Sequence, residues 1–200
     1  GTVDVTALES TLGADLSDIT TTTVTAALNS TGNKELTASA NLGDFVVTIS
    51  GTGTVTANAS ATLPSGTGKF VVGQNATLQL TAAHADGLTA DSDGTVNVTA
   101  LHSKTDADLS LISTNGATIT LSSPTSLTDA AKLPNPANES AVIITGSNTL
   151  TLGGTNNIQD NTNGLSIVSG STLISTAAII TGETVSGTGT VNITALESTL

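Results

Sequence analysis

The sequence lacks most of the residues that build cores and active sites. Cys, Met, Trp, Tyr and Arg do not occur, and Phe45 and Phe70 are the only aromatics. Without Cys there is neither a disulfide framework nor a thiolate metal site. Aromatics normally supply core volume and line pockets, so a chain with two of them needs a thin core of small, stackable side chains. Positive charge is nearly absent as well. Four Lys stand against 16 acidic residues, a net charge of -12. Nucleic-acid binding requires clustered Lys and Arg, which excludes that class, and an anionic membrane surface would repel the chain. No apolar run approaches the about 18 residues of a membrane-spanning helix. The chain opens with neither Met nor a signal peptide, as expected of a mature protein or a fragment.

What remains is β-forming. Only 10% of residues are charged and the mean hydropathy is +0.22, so this is no disordered acidic tail. About forty residues are Thr. Thr, Val and Ile favour strands because β-branching suits a pleated surface.

The chain also repeats itself. GTVDVTALESTLGADLSDIT opens at Gly1, GTVNVTALHSKTDADLSLIS follows at Gly94, and GTVNITALESTL begins at Gly189. Similarity extends beyond that motif. Thr23–Ser30 matches Ala117–Ser123, and Val46–Thr56 matches Val142–Leu152 with an offset of 96. The reading is two repeats of about 95 residues, 1–93 and 94–188, with 189–200 starting a third, all cut from a longer array.

Short strand-like runs recur about every ten residues, bounded by Gly, Asn, Asp or Ser. In TVNVTA, Val96, Val98 and Ala100 fall on one side, and Thr95, Asn97 and Thr99 on the other. Leu127–Leu133, among Pro124, Pro134 and Pro136, reads as a loop inserted into repeat two. An all-β fold follows, and two architectures compete. A 95-residue unit has the size of an immunoglobulin-like sandwich, but such a sandwich wants a bulky aromatic plug. Phe45 and Phe70 align near Ala141 and Ser166, so no aromatic position is kept between the repeats. A β-solenoid fills a narrow core with stacked Val, Ile, Leu, Ala and Thr, and is the expected fold.

The phrases GTVNVTAL, DADLSLI, ATLQLTAAHADGLT and SGTGTV resemble the β-strand-repeat regions of very large bacterial surface proteins: adhesins, surface-layer-like proteins and sheath-forming proteins. That resemblance implies secretion, many tandem copies, and a part in a fibre, sheath or cell-surface layer. An adhesin stalk is the alternative, and a polysaccharide-active β-helix is a remote one. Partners would be neighbouring repeats or further copies of the chain. The resemblance brings no catalytic residues or cofactor.

Reactive constellations are sparse. His84 and His102 have no counterparts in the other copies, where Glu9 and Glu197 replace His102. A triad from His102, Ser103 and Asp106 fails because adjacent strand residues face opposite ways. The densest acids are in ADSDG (90–94) and TDADLS (105–110). Asp91, Asp93, Asp106 and Asp108 form a candidate structural Ca²⁺ site, with turn chemistry and solubility as the plainer account. Asn29, Asn58, Asn75, Asn97, Asn138 and Asn192 begin Asn-x-Ser/Thr triplets, which arise by chance at this composition. Outward Thr, as in TTTTVT (20–25), raises an ice-binding plane. That requires a strict period, whereas Thr is read here as shifting between copies.

Overall fold

A computed structural model of the chain describes residues 2–8, 12–19, 23–136, 140–158 and 163–195. The strands in chain order are β1 (Thr2–Val5), β2 (Thr23–Ser30), β3 (Lys34–Leu36), β4 (Val46–Gly51), β5 (Thr54–Ala57), β6 (Lys69–Val72) and β7 (Thr77–Thr81). A single helical turn, α1 (Ala82–Ala85), separates them from β8 (Ala90–Asp91), β9 (Thr95–Thr99), β10 (Gly116–Thr120), β11 (Thr125–Ser126), β12 (Val142–Thr145), β13 (Thr149–Thr151), β14 (Leu165–Ile167) and β15 (Thr172–Thr176). A second turn, α2 (Ala177–Ile180), precedes β16 (Val185–Gly187) and β17 (Thr190–Thr194).

Among the described residues every strand pair is parallel, and each strand inside a sheet bonds to the strands one turn before and one turn after it. The fold is therefore a β-solenoid; antiparallel immunoglobulin-like sandwiches are ruled out. Three sheets run along it: β1-β2-β4-β6-β8, then β3-β5-β7-β9-β10-β12-β14-β16, then β11-β13-β15-β17. A turn takes 18 to 25 residues.

Alternation in the sequence builds the interior directly. In β9, Val96 and Val98 are fully buried while Thr95, Asn97 and Thr99 point outward. Stacked in register, Leu80, Val98, Ile119, Ile144 and Ile167 make one unbroken inner column of the second sheet. Burying each such side chain stabilises the rod by about 1.5–3 kcal/mol. The first sheet shows volume compensation. Phe70 is wholly buried between Val47 below and Ala90 above. Leu165 replaces Phe70 in repeat two, pairing with Val142 as Phe70 pairs with Val47, so the inward position is kept although the ring is not. The offset here is 95, one less than the sequence match gives.

The repeat is not a whole number of turns. β1, β9 and β17 carry the same GTV motif but lie in the first, second and third sheets respectively. From β1 the first sheet climbs through β2, β4 and β6 to β8, and β9 is then the next strand, on the second sheet. From β9 the second sheet climbs through β10, β12 and β14 to β16, and β17 follows on the third. Each repeat thus makes four turns and one further side. This explains why the first sheet stops as the third begins while the second runs throughout. Backbone torsions carry the same signature: Ala7, Ala100 and Ala195 have φ of 57°, 53° and 52°, the left-handed region, at the same place in each copy.

The segment expected as an inserted loop is instead regular. Thr128, Ala131, Lys132 and Leu133 donate to Thr105, Thr128, Ala107 and Asn157 carbonyls. Thr37, Ala40, Asn41 and Leu42 repeat that pattern on Leu12, Thr37, Ala14 and Thr62. LTDAAKL (127–133) is therefore the counterpart of LTASANL (36–42). The extra length follows it: between the matched Leu133 and Val142 the sequence has eight residues, against four between Leu42 and Val47. Four short strands, β3, β8, β11 and β16, also escaped the sequence reading; β13 and β14, equally short, were found because the alternation runs on past their ends, in 149–152 and 165–168.

Corners hold the turns together. Asn157 is fully buried; its Oδ1 accepts from the Gly153 and Gly154 amides and its Nδ2 donates to the Thr128 and Ala131 carbonyls, one turn below. Replacing it with Leu strands four backbone groups and should cost at least about 2 kcal/mol, read as a lower urea midpoint. Gly146 has a φ of +101°, and a Cβ there would lie 2.2 Å from the Leu121 carbonyl oxygen. Gly146→Ala should therefore destabilise by at least about 2 kcal/mol. Ala100→Gly, which relieves left-handed strain in a β-carbon residue, should instead add up to about 1 kcal/mol of stability, read as a higher thermal midpoint.

Candidate functional site

The acids singled out as a candidate metal site lie on neighbouring turns, each with a local partner. Asp91 Oδ2 sits 2.6 Å from Lys69 Nζ, one turn below in the same sheet. Asp93 Oδ1 accepts from Asn115 Nδ2 at 2.9 Å. Asp106 Oδ1 lies 2.8 Å from Lys104 Nζ, which also reaches Asp86 Oδ2 at 3.2 Å. Asp108 Oδ1 accepts from the Ser110 hydroxyl and amide, and Asp108 Oδ2 lies 3.5 Å from Lys132 Nζ. Among the described residues no three His, Asp or Glu side chains converge on one point. Positive charge in this chain is spent on closing vertical contacts: three of its four lysines tie an acid on an adjacent turn.

These contacts set the titration behaviour. The Lys104 ammonium beside Asp106 holds that carboxyl below its ordinary value. Partial burial pushes Asp108 up, but the Ser110 hydroxyl and amide, with Lys132, outweigh it and the net direction is down. Hydrogen bonds to Asp106 and Asp86 raise Lys104.

The histidines do not form a catalytic pair. His102 Nδ1 lies 3.4 Å from the Ser122 hydroxyl on the turn above, at the exposed surface. The Ser103 hydroxyl donates to the Ala100 carbonyl at 2.7 Å, so the local sequence neighbour is committed to its own turn. His84 sits in α1, capped by the Thr81 side chain, with Nδ1 buried and without a hydrogen-bond partner. Thr176 caps α2 in the same manner, and no His follows there. Asn58 and Asn97, two of the glycosylation triplets, spend their amides on Glu35 and Gln79; Asn138 lies outside the described residues.

The feature that sequence reasoning missed is a threonine patch. On the second sheet Thr54, Thr77 and Thr95 form one outward column, and Thr81 and Thr99 another. Between them run Thr56, Gln79 and Asn97. On the third sheet Thr149, Thr172 and Thr190, with Thr176 and Thr194, repeat the arrangement around Thr151, Ile174 and Asn192. All six Thr recur at a spacing of 95 residues, which corrects the expectation that Thr shifts between copies. Their bonding recurs too: the Thr99 hydroxyl donates to the Leu80 carbonyl at 3.0 Å, and that of Thr194 to the Ser175 carbonyl at 3.2 Å. A single constant offset was the available signal. It was hidden because the opening motif repeats at 93.

The patch is uncharged. From β5 to β14 every outward residue of the second sheet is Thr, Gln, Asn, Gly, Ile or Ser. Charge borders it on β3, where Glu35 pairs with Thr56 from one turn below and accepts from the Asn58 amide and Lys34 precedes it; the rest lies on Asp4, Lys69 and Asp91 of the first sheet and on turns such as those bearing Asp86, Lys104, Asp106, Asp108 and Lys132.

No family model, curated protein or solved structure matches the chain.

Two outcomes follow from the ion pairs. Lowered carboxyls stabilise the fold above their ordinary range of about 4 and lose that contribution as pH falls through the lowered values; raised Lys104 contributes below about 10.4 and loses it only at higher pH. Urea midpoints should be level from about pH 5 to 9 and drop in acid, and Asp108→Asn should remove about 0.5 kcal/mol of that drop, since the group is mostly solvated. With each acid tied to its own partner and none converging with two others on one point, the four should give no shift in thermal midpoint when Ca²⁺ is titrated in or chelated; a rise of several degrees would restore the metal site.

Proposed function

We propose that the chain is a structural segment of an extracellular fibre, sheath or cell-surface layer, not an enzyme. The observation that carries this reading is continuity across the repeat. The Gly94 amide bonds the Val72 carbonyl across one copy boundary, and the Gly189 amide bonds the Ile167 carbonyl across the next. One copy therefore passes into another with the same inter-turn bonding used inside a copy. Adding repeats lengthens the rod without new chemistry, and stability grows nearly additively with length. The net charge of -12 favours solubility of an extended rod. Secretion to the cell surface belongs to the same proposal; among the described residues no helix is long and apolar enough to cross a membrane.

The adhesin stalk remains the second reading, since the same continuity would hold a binding tip away from a cell. Electron microscopy of the native surface separates them. Filaments or ordered sheets are expected; isolated monomeric rods, each ending in a non-repeat tip, would favour the stalk. Turnover in a glycan screen, abolished by Asp91→Asn or Asp93→Asn, would overturn both readings in favour of a polysaccharide-active solenoid.

A further inference from the structure

We infer that the threonine patch is a side-to-side contact surface for a second copy of this chain, and that the four-turns-and-one-side repeat places such contacts on successive sides of the rod. This rests on the structural reading above and names its partner.

Three observations combine. First, the patch is the outward feature kept without substitution at every Thr: the six from Thr54 to Thr99 reappear as the six from Thr149 to Thr194. Strand propensity alone does not demand that constancy, because Ile143 on β12 and Ser166 on β14 take equivalent outward positions without disturbing the sheet. Second, the patch is neutral in a chain of net charge -12. Two such rods repel wherever their acidic turns face one another, and the uncharged stretch of sheet is where they can approach without burying unpaired carboxylates. Copies of the chain match one another there in charge, since neutral meets neutral.

Third, the advance of one side per repeat decides between possible occupants. A planar ligand such as an ice face would be served best by patches lined up along one side, which a whole number of turns per repeat would give. Here consecutive patches lie on the second and third sheets, so a plane touching one misses the other. Neighbouring rods have no such restriction. With turns about 4.8 Å apart, each repeat rises about 21 Å. Two patches on different sides make each copy bivalent, and bivalent contacts that do not close extend into open assemblies. Lipid and nucleic-acid partners are disfavoured by charge. Glycan stacking is disfavoured because both aromatics are buried.

The test uses the whole 200-residue chain in sedimentation velocity over a rising concentration series. Association past the dimer is expected for the unmodified chain. Thr77→Glu, which charges one patch, should stop assembly at dimers. Thr77→Glu with Thr172→Glu should leave monomers, raising the concentration for half-association by about tenfold or more. Thr48→Glu, exposed on the first sheet outside the patch, is the control and should associate as the unmodified chain does. Circular dichroism and thermal midpoints identify any variant that has lost its fold; Thr77→Gln, neutral and similar to Gln79, then stands in and should still associate. An unmodified chain that stays monomeric throughout, or a doubly charged variant that assembles unchanged, overturns the inference. So does a monomeric chain that shapes growing ice crystals, which would assign the patch to ordered water. Filaments on the native surface alongside a monomeric chain would leave the structural reading standing and remove only this contact.

Discussion

Everything in this molecule depends on one turn lying in register on the next. A parallel strand has no partner within its own turn, so its amides and carbonyls are satisfied only by the turns above and below. That requirement fixes which residues stack, and inward positions become columns instead of points. A side chain is then judged against its vertical neighbours. Phe70 is tolerated because Val47 and Ala90 flank it, and Asn157 is tolerated because four backbone groups at one corner need its amide.

Stacking also explains where polar and charged residues go. Lys69 with Asp91, Lys104 with Asp86 and Lys132 with Asp108 are vertical pairs between adjacent turns, not members of a site. Acids that look clustered in the sequence, as in TDADLS, are distributed in space to different partners. A carboxylate pair close along the chain is a poor guide here, because the fold places its near neighbours about 22 residues away. The same displacement brings Ser122, not Ser103, to His102.

Much of the fold was legible. Strand periodicity found most strands, and the scarcity of aromatics argued for a narrow stacked core. Four of the six strands of two or three residues, β3, β8, β11 and β16, were not legible, because their residues are fixed by the turn beneath them. The prolines around Leu127–Leu133 suggested an insertion, yet LTDAAKL stacks as LTASANL does and the added residues follow it. The candidate site was the least legible part, since the residues forming the outward patch are separated by about twenty residues and share only a face.

The sequence by itself determined the β character, the repeat length and the alternation of buried and solvated positions, because each is a local property of side chains along one chain. Only the tertiary structure decided how many turns a repeat makes. Turn length is set by corners such as Gly51 and Gly146, where the carbonyl of the turn below leaves no room for a β-carbon, and by the columns that must align. Ninety-five residues therefore close as four turns and one more side, and identical words come to face in different directions.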